Sequence, residues 1–349
     1  MAEITIQDVA RRAGVSASTV SNLLNGRSER MRPETLARVQ RAIAQLGYSP
    51  NRAARHLKTG RVKMIGVIVP SVANPFYGAF ASHIERAALK AGYQILLGNS
   101  ERDPEREQRY AEELWSYGVR GLICGSSPLA LTHLVGFVER GLNIVAFDRQ
   151  VQPVDDLPVD SVTVDNVLAA RLAIEHLLKL GHRRIGFVTG PLRTVNRQGR
   201  LEGYRQALRE FGVTPDPHLV WEKTLDKGFG DTEGVELGRG GARELLSKPT
   251  RPTALLAIND MYAFGAYAGA RDLGLRVPAD VSIVGIDDGV LAEVVAPPLT
   301  TVRQPLIEMT QAAVDIVISR IEGRSDAPPQ HLTMKPELIV RQSTMQIRD

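Results

Sequence analysis

The chain has 349 residues, of which 43% are hydrophobic and 23% charged, a balance typical of a globular protein with a small domain and one or two larger ones. Its single cysteine, Cys124, excludes an internal disulfide and a multi-cysteine zinc site. We find no amino-terminal signal peptide and no uncharged run approaching roughly 18 residues, so we expect a cytoplasmic protein without a membrane span.

Positive charge is concentrated at the amino terminus. Residues 1–62 contain eleven Lys and Arg but only four Asp and Glu, a net charge of +7. The whole chain carries +4, so the remaining residues sum to −3. A basic amino-terminal segment on an otherwise acidic chain is the charge distribution expected for contact with nucleic-acid phosphates.

The first predicted elements are two short helices joined by a tight turn. Apolar Ile6 and Val9 lead to Gly14, which can take the positive φ that lets one helix stop before the next begins. Val15 would fill the angle between the helices, and Ser16 is placed to cap the second one. Spacing alone fits an ordinary helix pair equally well, but the basic charge favours a helix-turn-helix that reads DNA.

A third helix and a linker follow. Pro33 fits a helix start, and apolar residues at helical spacing continue to Gly47, so residues 1–49 should form a three-helix headpiece. Residues 50–62 are rich in Ala and Arg and too polar to bury anything alone. They indicate a linker that becomes helical when a partner supports it.

From Lys63 onward, short apolar strands alternate with helices, and the pattern occurs twice. Two helices are expected near residues 79–91 and 200–211. Continuous apolar strands of this kind are typical of parallel sheets covered on both faces. The sequence therefore predicts an α/β core over residues 63–349 with two doubly wound lobes. We expect the N-lobe at about 63–163 and 290–325, and the C-lobe at about 164–289 and 326–349.

Polar and aromatic residues follow the carboxyl ends of several predicted strands, where ligands bind in such folds. Amides, carboxylates and guanidiniums beside flat rings suit a sugar. Each position alone could be a helix cap or a turn, but their recurrence at one end of both lobes indicates a pocket. The candidates are Asn74, Phe76, Tyr77, Asp148, Arg149, Asn196, Arg200, Asn259, Asp260 and Asp287.

Motifs that carry catalysis are missing from the sequence. We find no Gly-x-Ser-x-Gly elbow, no Walker-type phosphate loop and no His-Glu-x-x-His. The sequence therefore predicts no catalytic residue, no metal site and no cofactor, and we expect that the protein is not an enzyme.

Several motifs resemble the LacI/GalR family of transcriptional regulators. In the headpiece these are Thr5-Ile6-Gln7-Asp8-Val9-Ala10, Gly14-Val15-Ser16 and Gly47-Tyr48-Ser49-Pro50-Asn51. In the core they are Gly190-Pro191, Pro278-Ala279-Asp280-Val281-Ser282 and Pro298-Leu299-Thr300-Thr301-Val302. The resemblance spans essentially the whole chain. It implies a helix-turn-helix headpiece with a hinge helix, followed by a two-lobed core similar to periplasmic sugar-binding proteins.

The resemblance also implies the DNA contacts. Ala17, Ser18 and Asn22 would face bases, and Leu57 of the hinge helix would wedge between central base pairs and kink the duplex. The full predicted set is Thr5, Ser16, Ala17, Ser18, Thr19, Ser21, Asn22, Asn25, Arg32, Tyr48, Asn51, Ala53, Ala54, Leu57 and Lys58.

The pocket candidates resemble most closely those of ribose-type sugar binders. Such pockets place an aromatic residue between Arg200 and the Asn259-Asp260 pair. Here Trp221, Leu225 and Phe229 compete for that position, and we carry Phe229 as the candidate.

Together these implications predict a homodimeric transcriptional regulator that acts as a repressor. It would bind near-palindromic double-stranded operator DNA, and its affinity would be controlled by a small sugar-like effector, such as ribose or a related sugar. The alternative is a sugar-binding protein of the transport or chemotaxis type, which needs a secretion signal and no headpiece. An α/β enzyme is a second alternative.

Overall fold

The computed structural model describes residues 4–24, 31–48, 62–152, 158–223 and 233–347. Residue contacts divide the chain into two units, Met1–Val62 and Lys63–Asp349. The predicted hinge helix, apart from Val62, lies outside the described residues. So do seven predicted site residues and one competitor, namely Asn25, Asn51, Ala53, Ala54, Leu57, Lys58, Phe229 and Leu225.

The first unit contains the three helices that the sequence predicts: α1 (Ile6–Ala13), α2 (Ala17–Leu24) and α3 (Pro33–Leu46). Gly14 ends α1 with φ 62° and Gly47 ends α3 with φ 60°, a left-handed conformation that costs glycine little. The helices share a small buried core formed by Val9, Ala10, Ala13, Val20, Val39 and Ala42.

The second unit alternates strands and helices. In chain order its elements are β1 (Met64–Val69), α4 (Pro75–Lys90), β2 (Gln94–Asn99), α5 (Pro104–Ser116), β3 (Gly121–Cys124), a 3-10 turn (Thr132–Leu134), α6 (Val135–Glu139), β4 (Asn143–Phe147), β5 (Asp160–Val164), α7 (Asn166–Lys179), β6 (Ile185–Thr189), α8 (Val195–Glu210), a second 3-10 turn (Pro217–Leu219), β7 (Val220–Glu222), α9 (Gly234–Leu246), β8 (Ala254–Ala257), α10 (Asp260–Asp272), β9 (Ser282–Asp287), α11 (Leu291–Val294), β10 (Thr300–Arg303), α12 (Leu306–Ile321), β11 (His331–Met334) and β12 (Glu337–Ile339).

The N-lobe is built on a six-stranded sheet in the order β11-β5-β4-β3-β1-β2. All its pairs are parallel, with Ile65 opposite Ile95 and Ile123 opposite Val145. Successive strand residues face opposite sides, so β1 contributes Val67 to a core with α4 and α12, and Ile68 to a core with α5. Burial on both faces explains why these strands are almost continuously apolar.

The C-lobe repeats this architecture with the order β12-β10-β9-β8-β6-β7, in which only the β10–β12 pair is antiparallel. One continuous apolar cluster joins its helices to both faces of the sheet. The predicted fold class, a helix-turn-helix headpiece followed by a two-lobed core of parallel sheets, is confirmed.

The predicted lobe boundaries were wrong in two places. Residues 290–303 belong to the C-lobe, because β10 pairs with β9 and Val302 lies in the C-lobe core. Residues 331–334 belong to the N-lobe, because β11 pairs with β5. The chain therefore crosses between lobes after β5, after β10 and after β11. Apolar periodicity locates strands but does not state which sheet they join.

Two helices begin earlier than predicted, and both changes matter for the pocket. Asn74 caps α4 by accepting a hydrogen bond from the Phe76 amide at 3.1 Å, and Pro75 occupies its first turn. The Thr194 hydroxyl caps α8 in the same way. These caps place Phe76, Tyr77 and Asn196 on the first turns of helices.

The helices of the described residues include none that is both long enough and apolar enough to cross a bilayer. In the same residues, no group of three or more His, Cys, Asp and Glu side chains is arranged to hold a metal ion. Cys124 is buried in β3, where desolvation raises the pKa of its thiol to about 12.

Candidate functional site

The headpiece presents α2 as its candidate DNA-reading helix. Ser18 and Asn22 are exposed, four residues apart and therefore on neighbouring turns of one face. Ala17, Thr19 and Ser21 are half-buried beside them. This face carries small polar side chains that can approach base edges closely.

Ser16 caps α2 as the sequence predicts. Its hydroxyl accepts a hydrogen bond from the Thr19 amide at 3.2 Å. The same hydroxyl lies 2.7 Å from Ser18 Oγ and 2.9 Å from Thr19 Oγ1. These bonds fix the amino-terminal turn of the helix, which is also the end that carries partial positive charge.

Thr5 begins α1 and is tied to Asp8. Its hydroxyl and its backbone amide donate to Asp8 Oδ2 at 2.6 Å and 2.9 Å. These hydrogen bonds lower the pKa of Asp8. Of the other predicted contacts, Arg32 is exposed just before α3, whereas Tyr48 is half-buried and packs against the headpiece core.

The core has a pocket between its two lobes, at the carboxyl ends of the strands. Eight of the eleven predicted ligand residues line it. The described lining consists of Asn74, Phe76, Tyr77, Arg102, Asp148, Asn196, Arg197, Arg200, Ile258, Asn259, Asp287 and Gln304.

The aromatic wall of the pocket comes from the first turn of α4. The rings of Phe76 and Tyr77 meet edge to face with centroids 5.1 Å apart, and Tyr77 contacts Phe80 in the same manner at 6.4 Å. Such packing holds the rings in place before a ligand arrives.

Asp148 connects the two lobes. It follows β4 of the N-lobe, and its carboxylate accepts hydrogen bonds from Asn166 Nδ2 at 3.0 Å and from Asn196 Nδ2, both on C-lobe helices. Asn166 Oδ1 in turn accepts a bond from Arg200 Nε at 2.8 Å. The network therefore runs from the N-lobe through Asn166 to the Arg200 guanidinium.

Arg200 and Asp287 form the C-lobe side of the pocket. Arg200 also donates to the Ile258 carbonyl at 2.7 Å, and Asp287 Oδ1 accepts from Gln304 Nε2 at 2.9 Å. Gln304 Oε1 is buried and finds no hydrogen-bond partner within the described residues. A buried acceptor in this state favours a ligand that donates a hydrogen bond to it.

The Asp287 carboxyl has a pKa well above its ordinary value. Desolvation is the main cause, and the positive charge of Arg200 opposes it. The negative charges of Asp260 and Asp148 raise the pKa further, whereas the Gln304 hydrogen bond lowers it. Asp148 and Asp287 also have positive φ, 51° and 139°, a strained conformation that is common at binding sites.

Sequence reasoning missed three polar lining residues: Arg102, Arg197 and Gln304. Arg102 lies three residues beyond β2, and Gln304 directly follows β10. The rule that found the other candidates, polar residues after a strand, could have found both. Arg197 lies on the first turn of α8, which the sequence placed too late.

Two predicted ligand residues lie elsewhere. The Arg149 guanidinium donates to the carbonyls of Pro128 and Leu129 at 2.6 Å and 3.0 Å, so it supports a loop of its own lobe. Asp260 lines a smaller neighbouring pocket and accepts from the Thr301 hydroxyl at 2.6 Å and the Gly289 amide at 3.0 Å. Arg149 is also buried, with 2% of its surface exposed.

Among the three residues that competed for the second aromatic position, Trp221 is described and does not line the pocket. Its indole Nε1 donates to Glu244 at 2.8 Å, and its ring packs against the glycine-rich helix α9. The ribose-type aromatic is therefore not supplied by Trp221.

Comparisons with known proteins identify two regions. Residues 5–51 match the family model for bacterial regulatory proteins of the lacI family, and residues 174–344 match a periplasmic binding protein-like domain. These matches fall on the headpiece and on much of the core.

Relatives that match nearly the whole chain support the same assignment. The chain is 36% identical to the HTH-type transcriptional regulator DegA of Bacillus subtilis, covering 97% of this chain and 98% of that protein. It is also 36% identical to the ribose operon repressor of Escherichia coli K12, covering 97% and 99%. The crystal structure of the lac repressor dimer bound to operator and the anti-inducer ONPF matches with a TM-score of 0.84 and 30% identity, covering 99% and 100%.

Proposed function

The chain belongs to the LacI family of bacterial transcriptional regulators, and we propose that it is a homodimeric repressor whose operator is released when a small sugar-like molecule binds between the core lobes. One observation supports this most: the same chain carries a headpiece with an exposed reading helix and a pocket lined by both lobes. An enzyme needs no such headpiece, and a transport protein needs none either.

The DNA-binding side rests on α2 and on charge. Ser18 and Asn22 reach base edges, and Asn22 is suited to adenine because an amide can donate and accept together. Thr5, Ser16 and the arginines of the basic amino-terminal segment contact phosphates. Two headpieces related by a two-fold axis then require a near-palindromic operator.

The second copy is held by an exposed apolar surface on the C-lobe. Val290, directly before the short helix α11, is 75% exposed, and Val294, its last residue, is 70% exposed. Leu291 lies between them. Exposed aliphatic side chains this close together are typical of an interface. The lac repressor relative is a dimer, which supports a second copy of this chain as the occupant.

Effector binding acts through the lobes. A ligand that contacts Asp148 from the N-lobe and Arg200 and Asp287 from the C-lobe stabilises one arrangement of the lobes over others. By linkage, that arrangement changes the affinity for DNA by a factor set by the coupling free energy, about 1–3 kcal/mol or 5- to 150-fold. The relative named ribose operon repressor supports a pentose such as ribose as the effector class.

The experiment uses the purified full chain and fragmented genomic DNA. We expect enrichment of fragments that share a near-palindromic motif, and release of these fragments by a sugar. The Arg200→Ala variant should bind the same fragments but fail to release them. Arg209→Ala is the matched control, because Arg209 lies on the same helix with 53% of its side chain exposed and should behave as the unmodified protein.

Two results would contradict the proposal. One is the failure to enrich any fragment. The other is an Arg200→Ala protein that still responds to every sugar that releases the unmodified chain, which would remove the pocket assignment.

A further inference from the structure

A further connection between the lobes lies outside the pocket. The carbonyl of Ser127, in the loop after β3 of the N-lobe, accepts a hydrogen bond from the Val195 amide of the C-lobe at 3.1 Å. The neighbouring residues Pro128 and Thr194 pair in an isolated antiparallel bridge. None of these four residues belongs to the described lining of the pocket. We call this pairing the latch, formed by Ser127 and Pro128 on the N-lobe and by Thr194 and Val195 on the C-lobe.

Arg149 supports the N-lobe half of the latch. Its Nε donates to the Pro128 carbonyl at 2.6 Å, and its Nη2 donates to the Leu129 carbonyl at 3.0 Å. The side chain is buried, and the planar guanidinium fixes the direction of both carbonyls. Arg149 directly follows Asp148, which contacts the C-lobe at the pocket. One short segment after β4 therefore serves both the pocket and the latch.

The start of α8 supplies the C-lobe half. Thr194 caps this helix, and its hydroxyl donates to Asn196 Oδ1 at 2.6 Å. Asn196 in turn donates to Asp148 across the cleft. Val195 is the first residue of the helix, and the amide at that position has no acceptor within a helix. The Ser127 carbonyl therefore satisfies a donor that the helix itself does not use.

Ser127 also brings an unfavourable feature to the latch. Its φ is 54°, in the left-handed region that a serine adopts only at a cost. Its hydroxyl is buried and finds no hydrogen-bond partner within the described residues. A buried hydroxyl in this state is unfavourable, whereas water satisfies it once the lobes part. The latch hydrogen bond thus favours lobes in contact, which we call closed, and the Ser127 hydroxyl opposes closure.

From these contacts we propose that the latch sets the balance between open and closed lobes, and with it the effector affinity, from outside the pocket. Its members are positioning residues for the two pocket walls. This inference rests on the proposed function, in which the effector contacts both lobes at once. By linkage, a weaker latch lowers the fraction of closed molecules, so more effector is needed to release operator.

Val195→Pro removes the donor of the latch while keeping the helix. Proline is favoured at the first helical position, because the amide there is not used within the helix. The residue before a proline must be extended, and Thr194 already is, with φ −130° and ψ 149°. Val195→Ala is the matched control, because it shortens the same half-buried side chain and keeps the amide.

The first measurement is the release of operator from the full-length proteins by ribose. Loss of one hydrogen bond changes an equilibrium about 2- to 10-fold, so Val195→Pro should need about 2- to 10-fold more ribose than Val195→Ala. Its operator affinity without ribose should not fall. In stopped-flow binding, ribose should dissociate faster from Val195→Pro and associate at an unchanged rate, because the latch forms only after the lobes close.

Ser127→Ala should act in the opposite direction. It removes the buried hydroxyl and keeps the backbone carbonyl, so the closed lobes lose an unfavourable group. We expect release of operator at about 2- to 10-fold less ribose than for the unmodified protein. Ser82→Ala, at an exposed serine on α4 of the N-lobe, is the control and should match the unmodified protein. General damage to the fold does not tighten binding, so a gain in Ser127→Ala separates the latch from a merely structural contact.

Amide hydrogen exchange measures the latch without any sugar. An amide on the first turn of a helix exchanges readily unless a group outside the helix accepts its hydrogen bond. In the full-length protein, exchange at Val195 should therefore report the fraction of molecules with a formed latch. It should be slower in Ser127→Ala than in Ser82→Ala.

Two results overturn the inference: equal ribose responses of Val195→Pro and Val195→Ala, or equal Val195 exchange in Ser127→Ala and Ser82→Ala. If Val195→Pro does not fold, the two serine variants decide the outcome. If ribose releases no operator even from the unmodified protein, the exchange measurement decides it. The proposed function is tested separately by the unmodified protein. If a sugar releases its operator fragments while all the variants behave alike, the proposed function stands and the latch inference fails.

Discussion

Asn196 of the C-lobe donates a hydrogen bond from Nδ2 to the carboxylate of Asp148 of the N-lobe. Both side chains are buried, at 6% and 2% exposure, and both line the pocket. The Thr194 hydroxyl donates to Asn196 Oδ1 at 2.6 Å, which orients the amide so that its nitrogen faces Asp148. This charge-assisted contact, together with the one from Asn166 Nδ2, therefore spans the cleft at the position where the effector is proposed to bind.

Loss of this contact should weaken effector binding. A hydrogen bond to a charged group contributes about 1.5–3 kcal/mol, so Asn196→Ala should lower effector affinity about 10- to 150-fold. Calorimetry with the active effector measures the affinity of the variant and of the unmodified protein. The control is Gln198→Ala, whose exposed side chain on the same helix donates to the Leu192 carbonyl. Equal affinities for the two variants would show that the contact does not support binding.

Asn22 should determine operator affinity and base preference. Truncation of a bidentate amide contact costs about 1–3 kcal/mol, so Asn22→Ala should bind the enriched operator about 5- to 150-fold more weakly and discriminate less at one base pair. Fluorescence anisotropy with single-base operator variants measures both. Gln40→Ala, an exposed amide on α3, is the control. A uniform loss across all sequences would instead indicate a phosphate contact.

Charge on α11 should dissociate the dimer. Val294→Glu places a carboxylate in the proposed apolar interface, where its desolvation is unfavourable. We expect a monomer by sedimentation velocity and weaker operator binding at the same concentration. Val340→Glu, at a C-lobe valine that is 57% exposed, is the control and should remain dimeric. A dimeric Val294→Glu protein would place the interface elsewhere.

Two glycines of α9 should respond oppositely to alanine. A Cβ at Gly238 would lie 2.1 Å from the backbone oxygen of Tyr262 on α10, whereas one at Gly240 meets only the edge of Trp221 at 4.0 Å. Gly238→Ala should therefore destabilise the core by about 1–3 kcal/mol or more. Gly240→Ala should stabilise it by about 0.5–1 kcal/mol, because alanine favours helix. Denaturant unfolding of both variants tests this, and similar midpoints would contradict the close approach of the two helices.

Asp260 should make core stability depend on pH. Desolvation raises the pKa of its carboxyl to about 6 from 3.8, although the Thr301 and Gly289 hydrogen bonds oppose the shift. Because the folded-state pKa lies above the unfolded one, the stabilising contribution is complete below about pH 4 and is lost as pH rises through about 6. The free energy of unfolding falls by up to about 3 kcal/mol across this pH range.

Asp260→Asn removes this titration. Between pH 4 and pH 7, the free energy of unfolding measured with denaturant should decrease less for the variant than for the unmodified protein. The pKa of Asp287 is raised as well. Its titration should therefore still lower the free energy of unfolding of the variant as the pH rises. Parallel curves for the two proteins would show that Asp260 ionises normally in the fold.

Short sequence patterns predicted most residues of the candidate site. The Gly14 turn, the Ser16 cap and the polar residues that follow β1, β4, β8 and β9 were readable because each depends on neighbours in the chain. Arg149 and Asp260 obey the same positional rule, yet their side chains turn to Pro128, Thr301 and other groups within their own lobes. Proximity to a strand end places a residue near the pocket but does not choose the direction of its side chain.

By itself, the sequence determined the basic headpiece, the alternation of strands and helices and the family, because periodicity, caps and charge are properties of short segments. Only the tertiary structure decided that β10 joins the C-lobe sheet and β11 the N-lobe sheet, that Asp148 bonds to Asn196 across the cleft, and that Arg102 and Arg197 line the same pocket. Asp148 and Asn196 are 48 positions apart in the chain, and the paired residues of β5 and β11 are 170 positions apart. Each strand could also have joined either of two similar sheets. The free energy that selects them comes from burial and hydrogen bonding in three dimensions, which leaves no periodic trace along the chain.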